Sequence, residues 1–207
     1  MNLELYLAFV LATVVLILIP GPNVALIVAN SLSYGARTAL MTVAGTSSAM
    51  VFQLAITAVG MTSVLLVLAA WFEWLRWLGV AYLVYLGIRA WRAPAEDLDA
   101  APPSARGSGR RLFWQGFLVS ATNPKVLLFY AAFFPQFVDP ARPLALQLGL
   151  LSATFLVIAV VLDSGFALAA GHARSWLRGA ARARLRNRLT GGFLIGAGLG
   201  LALARRS

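Results

Sequence analysis

The sequence predicts an all-α integral membrane protein of six transmembrane helices, arranged as an inverted 3+3 repeat with the first and fourth helices broken by proline. Three observations predict it. The 207 residues are 60% hydrophobic and 12% charged, with a mean hydropathy of +0.82, whereas about a quarter of a soluble domain is charged. Residues 5–36 and 38–72 contain no Asp, Glu, Lys or Arg, and each run exceeds the roughly 20 apolar residues that cross a hydrocarbon core. Proline stands beside asparagine inside both the first and the fourth apolar segments.

Residues 4–29 form the first span. No Lys or Arg precedes this run and no small-residue cleavage site follows it, so it reads as a permanent helix rather than a removable signal. A polar joint over 30–37 leads to the second span, 39–61. The third starts near residue 70, with Glu73 and Arg76 at the interface beside Trp71, Trp74 and Trp77, and ends at Trp91 and Arg92. Residues 93–111 are a Pro/Gly/Ser/acid mixture that can neither cross lipid nor build a core, and they form a linker between residues 1–92 and 112–207. Span four covers 112–138 and holds Lys125, span five covers 143–171 and holds Asp163, and span six covers 189–204 between Arg188 and Arg205.

Between spans five and six, Arg174, Arg178, Arg182 and Arg186 recur at four-residue intervals, which predicts a basic interfacial helix near 172–188 that anchors on anionic lipid. Twelve Arg and Lys residues border the spans on the side of the linker and this helix, against four on the other side. The positive-inside rule therefore puts linker and basic helix in the cytoplasm and both termini outside. The same distribution accounts for the net charge of +10 without a nucleic-acid partner.

The breaks carry the chemistry. Pro20-Gly21-Pro22-Asn23 removes two backbone donors and stops a continuous helix, which frees carbonyls near residues 15–18. Carbonyls without partners at membrane depth require protein or a polar cavity to satisfy them. In span four, Asn123-Pro124-Lys125 joins a second proline to an amide and the only lysine of the chain. A charge at such depth costs at least ~2.5 kcal/mol on insertion scales and demands compensation. A lysine that snorkels, or that pairs with carbonyls loosened by the proline, is the structural alternative to a ligand-binding lysine.

Because three spans are an odd number, the second half enters the membrane in the opposite direction, and the two breaks reach one depth. Secondary transporters hold their substrates where such interrupted helices meet. Half-helix N-termini and Lys125 suit a carboxylate, and Asn23, Asn123 and freed carbonyls suit an ammonium. The residues read together as an amino-acid site are Pro20, Gly21, Pro22, Asn23, Asn123, Pro124 and Lys125. Asp163 is a candidate for proton coupling or for the substrate ammonium, with an ion pair to Lys125 as the plainer reading. Thr46, Ser47, Ser48 and Gln53 line a pathway or serve helix packing, and His172 sits at the interface.

Other classes fit less well. One His, no Cys and one mid-span Asp give neither an enzyme's nucleophile and base nor a metal site, and no cofactor is expected. No Gly-x-x-x-x-Gly-Lys-Ser/Thr loop occurs, which leaves an ion gradient, taken as protons, to drive transport. The oligomeric state is not legible.

Three motifs in order, Pro20-Gly21-Pro22-Asn23, the run 75–87 (LRWLGVAYLVYLG), and Asn123-Pro124-Lys125 continuing to Phe133-Phe134-Pro135-Gln136-Phe137, make the chain resemble the lysine-exporter superfamily, in its branch of homoserine, threonine and other neutral amino-acid exporters. The resemblance spans almost the whole chain and implies amino-acid efflux across the bacterial inner membrane. The basic-amino-acid branch carries an acid in the second span and another after the Asn-Pro motif. Here those places read Gly45-Thr46-Ser47-Ser48 and Val126-Leu127-Leu128-Phe129, which implies a neutral cargo. Export of another small solute or of a basic amino acid on the same scaffold, and a membrane subunit without transport, are the alternatives.

Overall fold

A computed structural model describes residues 2–59, 63–93, 108–130, 134–139, 141–176 and 180–203. These form helices α1 (Leu3–Leu18), α2 (Pro22–Tyr34), α3 (Ala36–Val59), α4 (Ser63–Trp91), α5 (Gly109–Ala121), α6 (Pro124–Leu128), α7 (Leu144–Trp176) and α8 (Ala180–Leu203), with a 3-10 turn at Phe134–Phe137. No strand occurs among the described residues.

Both proline breaks are present. Helices α1 and α2 are bent by 51° across Ile19, Pro20 and Gly21, and α5 and α6 are separated by Thr122 and Asn123. Pro22 and Pro124 each open the new helix, the position at which a missing N–H leaves no intrahelical bond unmade. Among the described residues, α3 over Ala36–Thr57 and α7 over Leu144–Arg174 are long and apolar enough to cross a membrane, and the bent α1/α2 pair makes a third candidate.

Four boundaries differ from those read in the sequence. The polar joint over 30–37 contracts to a single turn at Gly35, whose φ of +87° is a conformation open to glycine. Helix α2 continues through Asn30 and Ser31 because their side chains find partners elsewhere: Asn30 Nδ2 donates to Thr42 Oγ1 at 2.9 Å, and Ser31 Oγ donates to the Ala167 carbonyl at 2.5 Å. Helix α4 begins at Ser63 rather than near residue 70. Helix α5 begins at Gly109, so Arg110 and Arg111 are helical rather than part of the linker. The basic residues expected on one helix over 172–188 are divided between the last turns of α7 and the opening turns of α8, with 177–179 outside the described residues. The linker over 94–107 and the terminus from 204, with Arg205, also lie outside them, and the side chains of Trp71, Glu73 and Arg76 are likewise not described, whereas Trp74 and Trp77 are exposed.

Helix α2 is the hub. Nearly all of its residues are buried, and it packs on α3, α5, α7 and α8. Around it, α3 pairs with α5 and α4 with α8. Glycine decides how close those pairs come, since a side chain would separate the backbones. A Cβ at Gly45 would fall 2.0 Å from the Phe113 carbonyl oxygen, and one at Gly116 would fall 2.3 Å from that of Thr42. The α4–α8 crossing is reciprocal: a Cβ at Gly87 would lie 2.9 Å from the Gly191 oxygen, and one at Gly191 would lie 2.7 Å from the Gly87 oxygen. A second packed region joins Phe9 of α1 to Phe129, Tyr130, Phe134 and Phe155, with rings mostly edge-on at 5.0–6.4 Å, a favoured arrangement of aromatic quadrupoles.

Candidate functional site where the two breaks meet

The missing donors can be named from the α-helical bond rule, in which each N–H reaches the carbonyl four residues earlier. Pro20 cannot donate to Leu16, and the bend carries Asn23 away from Ile19. Val15 retains its bond, from the Ile19 N–H at 3.1 Å. The carbonyls of Leu16 and Ile19 are the ones taken up by another group: Lys125 Nζ donates to both, at 2.8 and 2.7 Å. The alternative reading of the lysine, pairing with carbonyls loosened by proline, is thus realised, and the freed carbonyls extend to Ile19.

The second break is treated in the same way from the other half of the chain. Pro124 cannot donate to Ser120, and the Lys125 N–H is engaged by the capping side chain of Asn123, at 3.1 Å to Oδ1. Gln53 Nε2 donates to the Ser120 and Ala121 carbonyls at 3.1 and 3.3 Å. Each break therefore receives its donor from the opposite half: α6 serves the first and α3 the second.

The asparagines join the breaks directly. Asn123 Nδ2 donates to Asn23 Oδ1 at 2.9 Å, and Asn23 Nδ2 donates to Ser120 Oγ at 3.1 Å. Both side chains are almost fully buried, where an unmet amide is costly. Gly21 lies against the lysine and has an extended backbone: a Cβ on it would fall 3.2 Å from Lys125 Nζ. Asp163, on α7, is 2% exposed and near enough to Lys125 for their charges to interact.

The structure thus gathers Gly21, Asn23, Asn123, Lys125 and Gln53, with Asp163 within electrostatic reach. Pro20 and Pro22 flank the group, and Pro124 opens α6. Thr46 and Ser48 instead bond carbonyls of their own helix, at Val43 and Ala44, a use of hydroxyls common within helices. Ser47 Oγ and Gln53 Oε1 are buried with no hydrogen-bond partner among the described residues. His172 is exposed near the end of α7. Sequence reading missed Ser120, which accepts from Asn23, and Gln115, whose Oε1 lies 3.5 Å from Asn30 Nδ2. A lone Ser or Gln in an apolar helix carries no spacing signal. The one available clue was polarity in a segment that otherwise faces lipid or core.

Among the described residues, no group of three or more His, Cys, Asp or Glu could hold a metal ion. The site is a set of amide, carbonyl, ammonium and carboxylate groups, able to donate to anions and to accept from cations.

The chain is 32% identical over 207 residues to the homoserine/homoserine lactone efflux protein of Salmonella typhimurium, covering all of both chains. It is 32% identical over 205 residues to an uncharacterized membrane protein of Vibrio cholerae, covering 99% of this chain and all of that one. No solved structure matches. The family description and the relatives' names indicate a transporter rather than an enzyme, one that meets a small-molecule substrate and membrane lipid. With residues 14–205 matched by the model of the LysE type translocators, the chain belongs to that family of membrane exporters.

Proposed function

We propose that the protein exports small neutral amino acids, homoserine- or threonine-like in size, by alternating access driven by a proton gradient. The observation that carries this reading is the placement of Lys125 Nζ on the Leu16 and Ile19 carbonyls beside the Asn23–Asn123 pair. An ammonium held by two carbonyls occupies the place that a substrate ammonium would take. When a zwitterion enters, its carboxylate draws Lys125 away, and its own ammonium replaces Lys125 on the two carbonyls. Gln53 Oε1, a buried acceptor without a partner among the described residues, receives an ammonium or hydroxyl proton of the cargo in this scheme. The exchange conserves charge and hydrogen bonds at the break, so substrate binding can loosen the first break without leaving bare carbonyls.

Asp163 carries the coupling proton in this scheme, since its carboxyl is the one buried acid in reach of Lys125 among the described residues. The scaffold is six spans in an inverted repeat, residues 1–92 and 112–207, joined by the linker. The reciprocal Gly87–Gly191 crossing and the asparagine-to-asparagine bond support it, because equivalent groups that lie near a two-fold axis meet each other. The membrane in this reading is the bacterial inner membrane, and the arginine distribution supports a cytoplasmic linker and basic segment with the termini outside.

The test is amino-acid efflux, read by mass spectrometry from cells loaded with feeding dipeptides. It compares the parent protein, Lys125→Ala and an empty vector at equal membrane expression. The expected result is release of one or a few neutral amino acids by the parent, reduced at least about tenfold in the variant, the effect of losing roughly 1.4 kcal/mol or more of interaction. Equal release by parent and variant overturns the site, and release equal to the empty vector overturns the cargo.

A further inference from the structure

Helices α4 and α5 are the elements on either side of the linker, and they scarcely touch along their lengths. Between them lies a crevice of about 230 Å³ lined by Tyr82, Tyr85, Arg89, Arg111, Trp114 and Gln115, with Leu86 and Leu118 beside them. Arg89 is in the last turn of α4 and Arg111 in the first turn of α5, so both guanidinium groups sit at the same end of the helices. The Tyr82 phenol is within electrostatic reach of both.

The crevice is layered by chemistry. Its charged end is at the helix termini, the depth of a membrane–water interface. Tyr85, Trp114 and Leu118 are each about half exposed on its outer wall, as side chains facing lipid are. Its floor is Gln115, which is buried and tied inward to Asn30. Two arginines, a phenol and an indole above exposed apolar wall match a phosphodiester with an acyl chain below it. A guanidinium offers a phosphate two parallel donors, and aromatic rings rest at the glycerol level. Basic pockets between membrane helices take anionic lipid headgroups on this basis. An amino-acid carboxylate would use the arginines but leave the exposed apolar wall unexplained.

We propose that the α4–α5 crevice is a binding site for an acidic phospholipid, with its phosphate on Arg89 and Arg111 and its acyl chain along Leu118 and Tyr85. The lipid joins the helices flanking the linker where the protein's own contacts are sparse. This site is separate from the paired breaks and does not depend on the identity of the cargo.

Native mass spectrometry of the purified full chain tests it, with phosphatidylglycerol, phosphatidylcholine and inorganic phosphate as probes. The parent is expected to retain phosphatidylglycerol at least fivefold more than phosphatidylcholine, and Arg89→Gln/Arg111→Gln is expected to lose that preference. Arg37→Gln, an exposed arginine at the start of α3, is expected to keep it. Both positions of the crevice pair are exposed, and unchanged melting in neutral detergent checks that the variant is folded. If the double variant is misfolded, Arg89→Gln and Arg111→Gln singly take its place, each expected to weaken retention by at least twofold. Equal retention by parent and crevice variant, no preference in the parent, or an equal loss in Arg37→Gln overturns the proposal. Millimolar inorganic phosphate that displaces the lipid completely also overturns it, by showing a soluble-anion site.

Discussion

The side-chain amide of Asn123 donates to the side-chain carbonyl of Asn23 across 2.9 Å, linking residues one hundred positions apart within the two proline breaks. Each asparagine has a second bond, to Ser120 Oγ or from the Lys125 N–H, so neither can turn without disturbing the other's helix end.

Coupling between the asparagines is the first expectation. Asn23→Ala and Asn123→Ala each leave a buried amide partner unmet, at ~1–3 kcal/mol, and Asn123→Ala also removes a cap worth ~1 kcal/mol. Unfolding measured in detergent for both singles and the double should give an interaction energy of ~0.5–3 kcal/mol. Additive losses would show that the bond contributes nothing of its own.

Gly21→Ala probes position rather than stability. Its new Cβ meets the flexible end of Lys125, at 3.2 Å from Nζ, and not a backbone atom. The fold should survive with little change in melting, while the displaced ammonium raises the apparent KM for efflux several-fold. Unaltered transport kinetics in this variant would remove the need for close approach.

The glycine crossings predict a graded series. Gly45→Ala and Gly116→Ala press a methyl against backbone oxygens at 2.0 and 2.3 Å, and overpacking of this kind costs ~1–3 kcal/mol. Gly149→Ala meets nothing within 4 Å and should melt with the parent. The order of the three melting temperatures checks the α3–α5 contact.

Asp163→Asn separates coupling from passage. In liposomes with an imposed pH gradient, the variant should lose gradient-driven accumulation of the amino acid while retaining exchange of labelled for unlabelled substrate. Gradient-driven accumulation equal to the parent's would assign the buried acid a structural role.

A helical membrane protein with two interrupted segments was legible because its signals are local. Apolar runs without charge, arginines at their ends, and prolines with no N–H to donate are properties of neighbouring residues, and they fixed the helical class and both interruptions in advance. Two of the orphaned carbonyls, those of Leu16 and Ser120, follow from counting four residues back from Pro20 and Pro124, whereas that of Ile19 is freed only by the bend. Their donors do not follow in this way, because Lys125 is 109 positions from Leu16 and Gln53 is 67 from Ser120, and no spacing rule connects residues so far apart. Among the pathway candidates, Thr46 and Ser48 looked as promising as Gln53. A short hydroxyl bonds its own helix, whereas the longer Gln53 amide reaches a neighbouring one. The joint over 30–37 failed for a related reason, since Asn30 and Ser31 are polar only until tertiary packing brings Thr42 and the Ala167 carbonyl to them. Sequence alone determined where proline withholds a backbone donor, because that is written in its covalent structure; only tertiary structure decided which further carbonyls the bend frees and which side chains supply donors, because that depends on which distant helices come within about 3 Å.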